Sequence, residues 1–132
     1  MPENKEYESR LVESSRQLTA RDKIRYQNFS AAIAIDSLVA DDTEVASIFT
    51  PIGYASFAVH NEKAENTDYD LYIIEGKGGT LYKTGSNSFF SRFKLIFDTM
   101  AAEAPGEEYT ISVMKRPSNH YKGKYLLICQ LD

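Results

Sequence analysis

Residues 84–106 read "TGSNSFFSRFKLIFDTMAAEAPG", and within them Phe89, Phe90, Phe93, Ile96, Phe97 and Met100 stand at offsets 0, 1, 4, 7, 8 and 11. That spacing is one apolar stripe of an α-helix. Ser86 or Ser88 supplies an N-cap, and Ala104-Pro105-Gly106 supplies a stop. The stripe reads as core, with its phenylalanines plugging a β-structure rather than forming a ligand platform.

On both sides of this helix the period changes to two. Upstream, "YASFAVHN" from Tyr54 puts Ala55, Phe57 and Val59 on one face, and "YDLYIIE" from Tyr69 is rich in β-formers. "GKGG" at 76–79 is a tight turn whose glycines tolerate positive φ, and "TLYKT" returns as the second arm of a hairpin. Downstream come "YTISVMK" from Tyr109 and "KYLLICQL" from Lys124. From Tyr54 the order is strand, strand, strand, helix, strand, strand. This is the connectivity of the OB-fold, a five-stranded Greek-key barrel with a helix between strands three and four. Other small α+β folds share it. The fold class expected is mainly β (α+β).

At 132 residues with 42% apolar content, the chain suits a single domain, 18–132. Residues 1–17 are polar apart from Leu11 and Val12 and read as a flexible tail. "LTARDKIRY" offers Thr19 as N-cap of a short basic helix. "FSAAIAIDSLVA" at 29–40 fits a helix or a strand, with strand preferred. No apolar run approaches the roughly 18 residues of a membrane span, and the charged N-terminus does not resemble a signal peptide. With one cysteine, a disulfide framework is excluded, and a cytoplasmic location is expected.

Catalytic and metal chemistry find little footing. One Cys and two His give no zinc spacing, and Cys129 lies in an apolar run that suggests a buried structural thiol. The loop-edge acids near His60 suit a solvated surface better than acid–base work. The glycines of 76–85 match neither a Walker loop nor a dinucleotide fingerprint. No enzyme, no cofactor and no metal is expected.

A ligand signal comes instead from local charge. The chain carries a formal net charge of -4, yet "KRPSNHYKGKY" at 115–125 holds four basic side chains, two tyrosines and no acid. Residues 75–125 hold eight Lys and Arg against five Asp and Glu. Single-stranded nucleic acid needs such a mixture: rings on which bases stack, at roughly 1–3 kcal/mol each, and cations that follow phosphates. The expected stacking residues are Tyr72, Tyr82, Tyr121 and Tyr125. The expected phosphate contacts are Lys77, Lys83, Lys115, Arg116, Lys122 and Lys124, helped by Arg21, Lys23 and Arg25. Core tyrosines and solubilising lysines would read the same way, so that alternative stays open. About five phosphate contacts would give a single-strand salt slope of roughly -3 to -4.

"LTARD" at 18–22, "HNEKAENTDY" at 60–69, "TGSNSFFSRFKLIF" at 84–97 and "KRPSNHYKGKYLLIC" at 115–129 resemble a family of small OB-fold single-stranded-DNA-binding-like proteins. That family belongs to Gram-positive conjugative plasmids and phages, and the likeness spans most of residues 18–131. It implies non-sequence-specific binding of single-stranded DNA, with RNA as the other candidate strand, during conjugation or phage replication. From its length and its Leu11–Val12 pair, the 1–17 tail is a candidate for packing on a neighbouring subunit bound along the same strand, which would give self-association. No acidic tip follows the last strand, so recruitment of repair partners through one is not expected. The alternative from another class is a protein-binding module, such as a host-defence antagonist, without nucleic-acid binding. A hydrolase using His60 and its acids is the weakest reading.

Overall fold

The computed structural model describes residues 7–39, 47–63, 65–118 and 123–132. The described residues form a mixed α+β fold of eight strands in two sheets. The strands are β1 (Tyr7–Ser14), β2 (Ile33–Ala34), β3 (Ser47–Phe49), β4 (Pro51–Asn61), β5 (Asp68–Gly76), β6 (Leu81–Thr84), β7 (Ile111–Pro117) and β8 (Tyr125–Leu131). Helix α1 (Ala20–Tyr26) follows β1, and α2 (Asn87–Glu103) follows β6. One sheet runs β1-β4-β5-β6-β2, and the other runs β3-β7-β8.

The sequence leads to a five-stranded OB-like barrel; a closed barrel is not shown, and the ladders of the described residues divide into these two sheets. The division starts at Thr50-Pro51. Proline brings no N–H to a ladder, and the β4–β5 register shifts between Pro51 and Gly53. The segment 47–61 therefore changes sheets: Ser47–Phe49 pairs antiparallel with β7, and Pro51–Asn61 with β1 and β5. Gly53 sits at this bend, where a Cβ would come within 3.3 Å of both Ser15 Oγ and the Tyr26 hydroxyl.

Both faces of the larger sheet are covered. Tyr54, Tyr72 and Ile74 face Phe89, Phe90, Phe93 and Ile96 of α2, together with Phe49, Ile111, Val113 and Cys129 of the smaller sheet. On the opposite face Ala55, Phe57, Val59 and Ile73 pack against Leu18, Tyr26, Phe29 and Ala32. Each fully buried Phe or Ile contributes roughly 1.5–3 kcal/mol through area removed from water. The stripe read from the α2 sequence is the buried one, and Ser86 caps it by accepting from the Phe89 N–H at 3.2 Å.

Two other expectations change. Residues 7–14, read as tail, form β1 along the edge of β4, with a register shift between Leu11 and Glu13. Among the described residues of the 29–40 segment, 29–39, the only strand is the two-residue Ile33–Ala34, parallel to β6 and flanked by short 3₁₀ segments. Its alternating small residues satisfy short turns as readily as a ladder. The hairpin turn at 76–79 is as read, with Gly78 and Gly79 at φ of 92° and 91°.

Helix α1 begins in a capping box: Thr19 Oγ1 accepts from the Asp22 N–H at 3.1 Å, and Asp22 accepts from the Thr19 N–H at 3.3 Å. Thr19→Ala is expected to cost about 1 kcal/mol in urea denaturation. Wild-type stability in that variant would show the cap to be idle.

Candidate nucleic-acid interface

The residues singled out from sequence separate into three places. Tyr72 and Tyr82 are taken up by the core. Tyr72 is 5% exposed, its ring stacks on Phe90 at 4.2 Å and 11°, and its hydroxyl accepts from Asn87 Nδ2 at 2.9 Å. Tyr82 lies 4.7 Å from the Phe49 ring. Tyr72 presents no face to a base, whereas Tyr82 is half-buried against the core. Lys83 Nζ donates to the Phe29 carbonyl at 2.9 Å, a bond that ties β6 to the turn after α1.

Lys77, on the glycine turn, is exposed and donates to Glu108 at 2.6 Å. Surface pairs of this kind contribute at most about 1 kcal/mol. Arg21 and Lys23 are exposed on α1.

Lys115, Arg116, Lys124 and Tyr125 come together at the β7–β8 hairpin end. The ladder pairs Lys115 with Leu127, Arg116 with Leu126 and Pro117 with Tyr125, and the Ser118 N–H donates to the Lys124 carbonyl at 2.9 Å. Tyr125 is 39% exposed and Leu126 50%. Tyr121, Lys122 and His120 lie outside the described residues. The other end of the smaller sheet is acidic, with Glu107, Glu108 and Asp132 lining one depression beside Tyr109 and Thr110. Charge is thus graded along the two strands, whose seven residues each span about 23 Å.

Arg92 is a residue that the sequence reading did not single out. It stands three positions after Phe89, at the rim of the apolar stripe, and with Ser88 and Phe89 it lines a groove whose other wall is Leu126, Leu127, Ile128 and Cys129. Among the described residues no acid lines that groove.

A second polar cluster lies under α1. The Glu75 carboxylate, buried near the end of β5, accepts from Arg25 at 3.0 and 3.1 Å and from the Tyr26 hydroxyl at 2.6 Å. Arg16 stands 3.5 Å from it. Burial pushes the Glu75 pKa up, but the Arg25 and Tyr26 hydrogen bonds with the Arg25 and Arg16 charges outweigh this, and the net shift is downward. The Arg16 hydrogen bond is the main reason that Asp22 lies far below the usual carboxylate range. Burial and Glu75 raise the Tyr26 phenol. Every member is hydrogen-bonded within the cluster, so it clamps α1 onto the sheet and offers no site for a ligand.

His60 Nδ1 lies 2.8 Å from Asp68 and Nε2 lies 3.5 Å from Glu62. The hydrogen bond with Asp68 raises its pKa first, and Glu62 adds to this. Among the described residues no hydroxyl or thiol is hydrogen-bonded to this ring. Cys129 is 5% exposed, and burial pushes its thiol up to about 12, which leaves almost no nucleophilic thiolate at neutral pH. Among the described residues no three His, Cys, Asp or Glu side chains cluster as metal ligands, and no helix is long and apolar enough to cross a membrane.

No family model matches the chain, and no curated protein or solved structure does.

Proposed function

We propose that the protein binds single-stranded DNA without sequence preference, and catalyses no reaction, through the β7–β8 end. The observation that carries this reading is that Lys115, Arg116, Lys124 and the half-exposed Tyr125 share one end of the β7–β8 ladder, Lys115 on the Tyr125 face and Arg116 and Lys124 on the other, on a chain of net charge -4. Phosphates need cations close by, since the screening length at physiological salt is about 8 Å. A base needs an uncovered ring, which Tyr125 has and Tyr72 lacks.

The fold reading that accompanies it is an open variant of the OB barrel. It is supported by the order β4, β5, β6, α2, β7, β8 and by the segment 47–61, which pairs in both sheets as a bent first strand would. In that scheme the basic hairpin is the connection between the last two strands, one this fold uses on oligonucleotides. The setting implied by the sequence resemblance is a conjugative plasmid or phage exposing single strands in transfer or replication, and the lone cysteine agrees with a cytoplasmic location.

Fluorescence anisotropy with labelled oligo-dT tests the reading. Binding is expected at low salt, and three phosphate contacts give a slope of log K against log salt of about -2. Arg116→Ala should weaken binding at all sequences alike and reduce that slope by about 0.7. Absence of binding at low salt, or binding indifferent to salt, would leave the protein-binding module as the better account.

A further inference from the structure

Strand β8 is an edge of the smaller sheet, and its protection differs from that of the other edges. β2 and β3 are two and three residues long. β1 carries Glu8, Arg10 and Glu13 and a register shift. Soluble proteins protect edges by such shortness, charge and irregularity. β8 reads "YLLICQL", seven residues with no charge, proline or glycine and an unbroken register to β7.

Its hydrogen-bonding direction follows from its two ends. The Lys124 carbonyl accepts from Ser118, and the Asp132 N–H donates to Thr110 at 3.0 Å, so the even-numbered residues turn their backbone groups toward β7. Alternation along an antiparallel strand then points the N–H and C=O of Tyr125, Leu127, Cys129 and Leu131 away from β7. Among the described residues no strand lies on that side. Tyr125, Leu126 and Leu131 are 39%, 50% and 49% exposed beside this edge.

We propose that β8 pairs antiparallel with β8 of a second copy of this chain, joining the two smaller sheets into one of six strands. The strand is self-complementary in one register. With Ile128 on the two-fold axis, Leu127 faces Cys129 of the other copy and Tyr125 faces Leu131, so all four outward backbone pairs are satisfied. The same register sets Lys124 opposite Asp132 on the same face, twice by symmetry, and Ile128 against its own copy. The two basic hairpin ends then lie at opposite ends of the joint sheet, and this inference does not depend on DNA binding. Arg92 is the one charged side chain among the described residues that line the groove beside β8; an acidic strand of a different protein is the competing occupant that the test separates.

The test uses the whole chain without nucleic acid. Size-exclusion chromatography with light scattering is expected to show a monomer–dimer equilibrium in the micromolar range. Lys124→Asp and Asp132→Lys should each raise the dissociation constant about tenfold, and the double variant should restore it. Ile128→Cys should form an intermolecular disulfide on mild oxidation, because facing residues of a non-hydrogen-bonded pair lie about 4.5 Å apart at Cα. Ile48→Cys, 54% exposed on β3, should not. Cys129, buried, should stay silent in both. A chain that is monomeric at high micromolar concentration, or that cross-links equally at both positions, overturns the proposal and leaves the groove to an acidic strand of another protein. Charge-reversed variants that dimerise like the parent overturn the register.

Discussion

Phe93→Ala is expected to lower the unfolding free energy by about 3–5 kcal/mol, the largest loss of any single substitution considered for this chain. Phe93 is fully buried on α2 and meets Tyr54 edge-on at 6.1 Å and 89°. Phe90 and Phe97 lie 6.2 and 5.8 Å away along the same helix. Truncation removes the transfer free energy of the ring and leaves a cavity between two rigid surfaces, the face of the larger sheet and the smaller sheet. Neither can collapse onto α2 without breaking ladders. Domains of this size have only about 5–15 kcal/mol of stability, so the variant should melt far below the parent. Leu95→Ala is the control, because Leu95 is 58% exposed on the opposite side of α2. Its cost should stay within about 0.5 kcal/mol. Equal urea midpoints for the two variants would mean that α2 does not pack as described.

The legibility of α2 and the illegibility of the tyrosines have one physical origin. Six apolar side chains at helical spacing announce a buried stripe without any knowledge of what lies opposite. A strand with apolar residues on both faces announces only that it is covered, and Tyr54, Tyr72 and Ile74 sit on such strands. Tyr72 belongs to the surface that receives this stripe, since its ring stacks on Phe90 in the core. β1 was hidden for the opposite reason: its ladder with β4 is made of backbone hydrogen bonds, which polar residues such as Glu8, Arg10 and Glu13 support as well as apolar ones. The two-sheet division turns on Pro51 and Gly53, whose composition says "bend" but not which ladders each half joins. At the candidate interface, Lys115, Arg116, Lys124 and Tyr125 were visible because they are close in sequence. Arg92 was not, because only the packing of α2 against β8 brings it there.

Glu75→Ala is the second large effect, expected at about 2–3 kcal/mol at neutral pH. Removing a buried carboxylate strands the groups aimed at it: the Tyr26 hydroxyl, 2.6 Å away in a nearly inaccessible position, and the paired donors of Arg25. The guanidinium side chains of Arg25 and Arg16 are 40% and 44% exposed, so water screens part of their loss, and the figure stays at the low end for a buried network. Tyr26→Phe, which removes one bond and leaves the Arg25 bonds to the carboxylate in place, should cost only about 1 kcal/mol. The sign of the pH dependence follows from the downward shift of Glu75. A carboxylate held below its unfolded value contributes stability above that value, about 4.3, and loses it as the pH falls toward the folded pKa. Asp22, shifted in the same direction by Arg16 first, adds to the same loss. Urea denaturation of the parent should therefore weaken steadily as the pH is lowered below about 4.5. In Glu75→Gln that slope should be shallower, with the remainder carried by Asp22 and the other carboxylates. A parent and a Glu75→Gln variant with parallel pH profiles would show that the carboxylate charge does not hold α1 to the sheet.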